Sequence, residues 1–184
     1  MKIQIILGST RPGRVGEQVA EWAVDALKDF EDTEFELVDI ADYNLPLLDE
    51  PMPPLMGQYT KDHTKKWSAK IAEADGYIFV TPEYNHSVPG AFKNAVDFLN
   101  HEWHNKAIGF ISYGAAGGSR AAEQWRQIAG ELHMADVRDQ VLLYLGTDFE
   151  NYSTFKPTEA HAEQLKKVAE EVTAWSGALK QLRK

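Results

Sequence analysis

Five times along this 184-residue chain a short apolar run gives way to a stretch whose apolar residues recur every three or four positions, and that alternation leaves few folds open. Ile3, Ile5, Ile6 and Leu7 form the first run, which stops at Gly8 and suits a strand buried on both faces. From Val15 the spacing turns helical, through Val19, Trp22, Ala23, Ala26, Leu27 and Phe30. Glu17, Glu21 and Asp25 lie between them, acids early, where a helix dipole favours them. Phe35 to Ile40 reads as a second strand, and Thr64 to Ala74 as a helix with Trp67 and Ile71 on one face. Tyr77 to Val80 reads as a third strand, ending at Thr81-Pro82, and Ala91 to Leu99 as a helix. Ala107 to Ile111 and Ser119 to Leu132 continue the alternation, then Val141 to Leu145 as a fifth strand. A last helix runs from about Thr158, with Leu165, Val168, Val172, Trp175, Leu179 and Leu182 on its stripe. Strands and helices in strict alternation predict a doubly wound five-stranded parallel sheet with helices on both faces. No repeat, low-complexity tract or linker divides the chain, so residues 1–184 are expected to form a single domain.

Composition removes several function classes. The chain has no cysteine, which rules out disulfides, thiolate-held metals and dithiol redox chemistry, so any redox work must rest on a bound cofactor. A net charge of −9 argues against nucleic acid and anionic membrane as partners, since both call for an excess of Lys and Arg. The apolar run after Met1 is too short for a secretory signal, and no segment approaches the length of a membrane span. A cytoplasmic location is the expectation.

In doubly wound sheets ligands sit beyond the carboxyl ends of the strands, near the switch in strand order. That rule selects three loops. Gly8-Ser9-Thr10-Arg11-Pro12-Gly13-Arg14 joins a strand to a helix N-terminus, where free N–H groups and the dipole attract phosphate. Ser9 and Thr10 add hydroxyls, and Arg11 can pair with phosphate oxygens. The loop is not a nucleotide-hydrolysing P-loop, because Arg14 and Val15 stand where that motif needs Lys and Ser or Thr. Nor is it a dinucleotide fingerprint, because Thr10 stands where the second glycine belongs. The second loop, Thr81 to Gly90, is stiffened by Pro82 and Pro89 and carries Glu83, Tyr84, Asn85 and His86. Such a loop can bond the edge of a planar heterocycle while Tyr84 covers its face, although a plain turn accounts for its composition equally well. The third, Ser112 to Ser119, contains Gly114, Gly117 and Gly118, which permit close backbone approach.

Taken together, Gly8-Ser9-Thr10-Arg11 with Gly13-Arg14, Pro82-Glu83-Tyr84-Asn85 leading into Pro89-Gly90-Ala91-Phe92-Lys93-Asn94-Ala95, and Tyr113-Gly114 with Gly117-Gly118 resemble the NADPH-dependent FMN reductase family of flavodoxin-like proteins. The resemblance runs from the first strand through the fourth helix. It implies FMN as cofactor, NADPH or NADH as hydride donor, and a small acceptor such as a flavin, quinone, azo compound or metal oxyanion. It further implies that Ser9 and Arg11 bind the FMN phosphate, that Pro82, Glu83, Tyr84 and Asn85 line the isoalloxazine and ribityl, and that Tyr113 and Gly114 close the far edge. Many relatives carry Ser then Asn where this chain has Val15 and Gly16, so those two positions can offer phosphate only their backbone. No side chain is required as nucleophile or base, because the chemistry belongs to the cofactor. A flavodoxin-type carrier that binds FMN without oxidising NAD(P)H is the alternative on the same fold.

The remaining features read as structural. His101-Glu102-Trp103-His104 lacks H-E-x-x-H spacing and is expected at a helix C-terminus, with no metal role. Trp22 and Trp175 are expected in the core, Trp103 and Trp125 at an exposed surface or subunit interface. The loop from Tyr43 to Asp62 is long for such a fold. It carries Leu45, Leu47, Leu48, Met52, Leu55 and Met56 beside four prolines, which predicts a homodimer, with a homotetramer as a further possibility from the resemblance.

Overall fold

The computed structural model describes residues 1–183. The elements in chain order are β1 (Lys2–Leu7), α1 (Gly16–Ala26), β2 (Glu34–Asp39), α2 (Asp62–Ala72), β3 (Gly76–Pro82), α3 (Gly90–Asp97), β4 (Ala107–Gly114), α4 (Ser119–Glu131), β5 (Ala135–Tyr144), β6 (Phe149–Glu150), β7 (Thr154–Phe155) and α5 (Glu159–Leu179). The first five strands pair in parallel in the order β2-β1-β3-β4-β5, which is the flavodoxin-like winding. Its switch in direction lies between β1 and β3, so the loops after these strands diverge and leave a crevice.

Side chains on each strand point alternately to the two faces, and the faces differ chemically. Ile3, Ile5, Leu7, Ile78, Val80 and Ile111 pack under α1 and α5, an almost wholly aliphatic layer. Gly109 lies on this side because α5 rides so close that a Cβ there would stand 2.6 Å from a methyl of Val168. The opposite face carries Tyr77, Phe79 and Phe110 against Trp67, Phe92, Trp103 and Trp125 from the α2, α3 and α4 side. These rings meet edge-on or tilted, with centroids 4.8 Å apart for Phe92 and Trp125 and 5.2 Å for Phe79 and Trp125. Such pairs add about 0.5–1.5 kcal/mol each beyond burial.

The tryptophans therefore sit differently from their sequence expectation. Trp103 and Trp125 are buried, their indole N–H groups donating to the Val96 carbonyl and the Thr81 hydroxyl. Trp175 is exposed, because the buried stripe of α5 runs through Leu165, Val168, Ala169, Val172 and Ser176 and passes beside it. Leu182, in a 3-10 turn after α5, is exposed too. Trp22 is partly buried, edge-on to Phe155 at 5.3 Å. The strand expected at 141–145 begins six residues earlier, at Ala135, beyond a register shift against β4 between Ile108 and Phe110; as an edge strand it tolerates polar residues such as Arg138 and Asp139. The β6–β7 hairpin carries no alternation long enough to be read from sequence.

The segment between β2 and α2 is irregular yet well tied. The Asn94 amide donates to the Pro46 carbonyl and accepts from the Leu48 N–H at 2.7 and 2.9 Å. His101 lies in a 3-10 turn after α3, not at the end of a helix, and its Nε2 is 2.8 Å from the Leu55 carbonyl. Glu50 accepts from the backbone N–H groups of Thr60 and Lys61 at the start of α2. Burial works against its charge, but those donors prevail and bring its pKa down to about 2.

At the opposite end of the sheet from the crevice, Lys106 is buried, with Nζ donating to the Tyr77 hydroxyl at 2.8 Å and the Ile71 carbonyl at 3.1 Å. Both acceptors are neutral. Burial, aided by repulsion from Arg183, outweighs Asp75 and Glu102 and lowers the lysine pKa to about 7. Between that value and the ordinary value near 10.4 the unfolded chain holds a proton that the folded chain lacks, so this group makes stability rise with pH across the window. Lys106→Met is expected to flatten the rise. Urea midpoints of parent and variant at pH 7 and pH 9.5 test this, and an equal pH dependence in both would refute it.

Candidate functional site

The crevice is built from the carboxyl ends of β1, β3 and β4. The first loop leaves β1 at Gly8, whose N–H donates to the Val80 carbonyl at 3.0 Å. A Cβ on Gly8 would stand 1.8 Å from the Phe92 ring, so only glycine lets this loop lie flush on α3. Ser9 is fully buried, and its Oγ lies 2.9 Å from the Tyr84 hydroxyl, with the Arg11 N–H 3.4 Å away. Gly13 takes φ +70° to turn the chain into α1. The N-terminus of α1 has no side-chain cap, because Val15 precedes it; its N–H groups and dipole remain able to receive an anion.

The two arginines of the loop do different work. Arg14 is committed: its guanidinium binds Asp39 at the end of β2, Glu17 in α1 and the Ser9 carbonyl. Burial disfavours its charge, yet the two carboxylates prevail and raise its pKa. Arg11 is exposed and makes no ion pair among the described residues. It is thus the free cation of the loop. Thr10 turns toward a separate cavity of about 270 Å³, shared with Asn44, Leu45 and Asn94.

The second loop is a tight hairpin. Tyr84 and Ser87 exchange N–H···O bonds of 3.1 Å each way, and Asn85 and His86 occupy the turn with φ of +50° and +73°. Positive φ at both central residues is the twist-matched two-residue turn, which asparagine favours. Glu83 holds the loop to α4: its nearly buried carboxylate pairs with the Arg120 guanidinium and accepts the Arg120 N–H at 3.2 Å, at a helix N-terminus where an acid is favoured. Arg120 also reaches His86 Nδ1 at 3.2 Å, while its Nε is buried without a partner.

The third loop folds back on β4. Gly118 takes φ +70°, and a Cβ there would come within 2.6 Å of the Tyr113 backbone nitrogen. Ser112 donates to the Gly117 carbonyl at 2.7 Å. The glycines thus serve closure of the loop first. Tyr113 is buried, its hydroxyl seated over Gly16, where a Cβ would lie 2.5 Å from it. Burial raises the pKa of this phenol, with the neighbouring Tyr84 adding to the effect, so it stays protonated.

Between the loops lies a cavity of about 320 Å³. Arg11, Arg14 and Val15 border it on the α1 side, and Pro82, Glu83 and Tyr84 on the other. Tyr113, Gly114, Leu145 and Tyr152 complete the lining, Tyr113 buried and Tyr152 exposed. Of the residues expected from sequence, Arg11, Pro82, Glu83, Tyr84, Tyr113 and Gly114 border this one space. Ser9 lies behind Tyr84, and Asn85 lies at the turn, outside the cavity lining. Arg14, Val15, Leu145 and Tyr152 are additions. The sequence offers only backbone at Val15, and neither Leu145 nor Tyr152 stands in a motif; only chain folding brings them here. A free cation beside an uncapped helix N-terminus, joined to a cleft lined by Tyr84 and Tyr113, suits a ligand that carries a phosphate at one end and a flat ring at the other. FMN has that shape and charge, and the donor set fits it.

Fold and site together define a flavodoxin-like protein of the flavin-binding kind. The model of the NADPH-dependent FMN reductase family matches residues 1–148, and the chain belongs to that family. A Nectria protein named NAD(P)H-dependent FMN reductase is 52% identical over 129 residues, covering 67% of this chain and 64% of the relative. A Schizosaccharomyces pombe protein of the same name is 44% identical over 135 residues, covering 72% and 68%. The aligned stretch thus spans about two thirds of these relatives. Among solved structures, the flavoenzyme NAD(P)H:(acceptor) oxidoreductase from Paracoccus denitrificans superposes with a TM-score of 0.72 at 19% identity, covering 98% of this chain and 97% of that one, a likeness of fold.

Proposed function

We propose that residues 1–184 act as one FMN-binding unit that passes reducing equivalents from NADPH or NADH to a small acceptor, such as a flavin or quinone. The observation that carries this reading is the single cavity joining Arg11 and the uncapped start of α1 to Tyr84 and Tyr113. The redox chemistry is that of the bound flavin, which takes up a hydride and gives up electrons. Arg11 pairs with the phosphate, and the N–H groups at the start of α1 complete its hold. Arg14, spent on Asp39 and Glu17, fixes the shape of the loop. Pro82, Glu83, Tyr84 and Asn85 make the strip along the ring and ribityl, stiffened by the Glu83–Arg120 pair. Tyr113 and Gly114 bound the far edge. Ser9, whose Oγ lies 2.9 Å from the Tyr84 hydroxyl, would add a hydroxyl to the hold on the phosphate. Family membership supports the reductase over a carrier that does not oxidise nicotinamide nucleotides.

This reading includes a homodimer. The tethered loop before α2 leaves Leu47 85%, Leu55 62% and Met56 53% exposed, and such a patch favours covering by a second copy. A cytoplasmic location accords with the cysteine-free sequence; among the described residues no helix is long and apolar enough to cross a membrane.

Three outcomes are expected. Under anaerobic conditions NADPH or NADH bleaches the FMN-loaded protein directly in a stopped-flow mixer; bleaching only through an added reductase would establish a carrier instead. Arg11→Ala weakens FMN binding about 10- to 150-fold, the loss of a hydrogen bond to a charged group, while riboflavin binds parent and variant alike. Unchanged FMN affinity by fluorescence titration would remove Arg11 from the site. Light scattering at micromolar concentration gives a dimer mass or a multiple of it; a monomer with full activity would overturn the dimer.

A further inference from the structure

The family match ends at residue 148, and the next residues form the β6–β7 hairpin. Its tip carries Tyr152, 72% exposed, with φ +57°. A bulky side chain on a left-handed backbone is an outlier that costs about 1–3 kcal/mol, and a glycine would relieve it. An exposed aromatic residue at such a position is not explained by packing.

The hairpin is nonetheless firmly held. The Gln18 side chain in α1 donates to the Ser153 carbonyl at 2.8 Å and accepts the Phe155 N–H at 2.9 Å, so one amide grips both ends of its bonding capacity. Phe149 and Phe155 meet at a tilt with centroids 5.1 Å apart, Phe149 beside Tyr113 and Phe155 edge-on to Trp22. Lys156 pairs with Glu150 across the strands. A strained tip on a rigid base thus presents a phenol ring to the rim of the cavity that also holds Arg11 and Tyr84.

We infer that Tyr152 is a specificity-determining residue for the nicotinamide nucleotide, its ring being the platform on which the adenine end stacks. The inference rests on the reductase reading of the same cavity. A nucleotide that reaches a ring bound along Pro82 to Tyr84 and Tyr113 must leave its second ring outside the cavity. Tyr152 is the exposed aromatic side chain at that mouth. A base stacked on an aromatic side chain gains enough that its removal lowers affinity roughly 10-fold.

The experiment uses the FMN-loaded protein, with ADP-ribose as probe because it carries the adenine and pyrophosphate and lacks the nicotinamide. Calorimetric affinity for ADP-ribose and the KM for NADPH are measured in the parent, Tyr152→Gly and Tyr152→Phe, alongside FMN affinity and thermal midpoint. The expected result is a roughly 10-fold weaker ADP-ribose and a matching rise in KM for Tyr152→Gly, with FMN affinity kept and the midpoint equal or higher. Tyr152→Phe behaves as the parent. A purely structural role would move the midpoint down and leave ADP-ribose binding alone, and that result overturns the inference. So does a loss of FMN affinity, which would assign the ring to the cofactor. If the parent itself is not bleached by NADPH or NADH, the reductase reading fails and this inference with it; if the parent is bleached and Tyr152→Gly matches it, only the role of Tyr152 falls.

Discussion

Phe92 fills the place that a side chain at position 8 would need, and the crevice is organised around that contact. Because Gly8 yields this space, the first loop drops onto α3 and its N–H reaches the Val80 carbonyl of the neighbouring strand. Ser9 is thereby brought to the Tyr84 hydroxyl, which couples the loop after β1 to the loop after β3. Phe92 in turn is held by Phe79 and Trp125, so the aromatic face of the sheet fixes where the first loop lies. A packed aromatic layer moves little, and a site resting on it inherits that rigidity.

Around this contact the polar groups divide into those spent on architecture and those left for a ligand. Arg14, Glu83, Arg120 and Asn94 are architectural: each is bound across a gap in sequence that an apolar contact alone would leave loose. Arg11 and the start of α1 remain open. Under the proposed function that division matters, since with the chemistry in a bound ring the chain has only to hold, orient and shield. A single uncommitted cation at one end of a tyrosine-lined cleft gives the ligand a direction.

Much of this was legible in the chain. The alternation of apolar runs and helical spacing follows from burial of a parallel sheet on both faces, and it located the main strands and helices to within a few residues, save the start of β5, which lies six residues earlier. Glycines, prolines and hydroxyls concentrated at three strand ends marked the crevice, because tight turns and anion sites demand those residues. The tryptophans show the limit. Trp125 and Trp175 both lie on amphipathic helices, yet Trp125 meets Phe79 and Phe92 while Trp175 falls beside a stripe already filled by Val172 and Ser176. Spacing tells that a helix has an apolar side; the rotation that seats one ring and exposes the other depends on the helix it packs against.

The sequence by itself determined the winding, the cysteine-free reliance on a cofactor and the family, since each rests on local pattern or composition. Tertiary structure decided which arginine stays free, because Asp39 lies 25 residues from Arg14 and meets it only when β2 pairs with β1. It also placed Tyr152 at the cavity, through a glutamine more than 130 residues away in the chain. Motifs record what neighbouring residues do together. Partnerships across the sheet are made by folding, when burial forces distant polar groups to find one another.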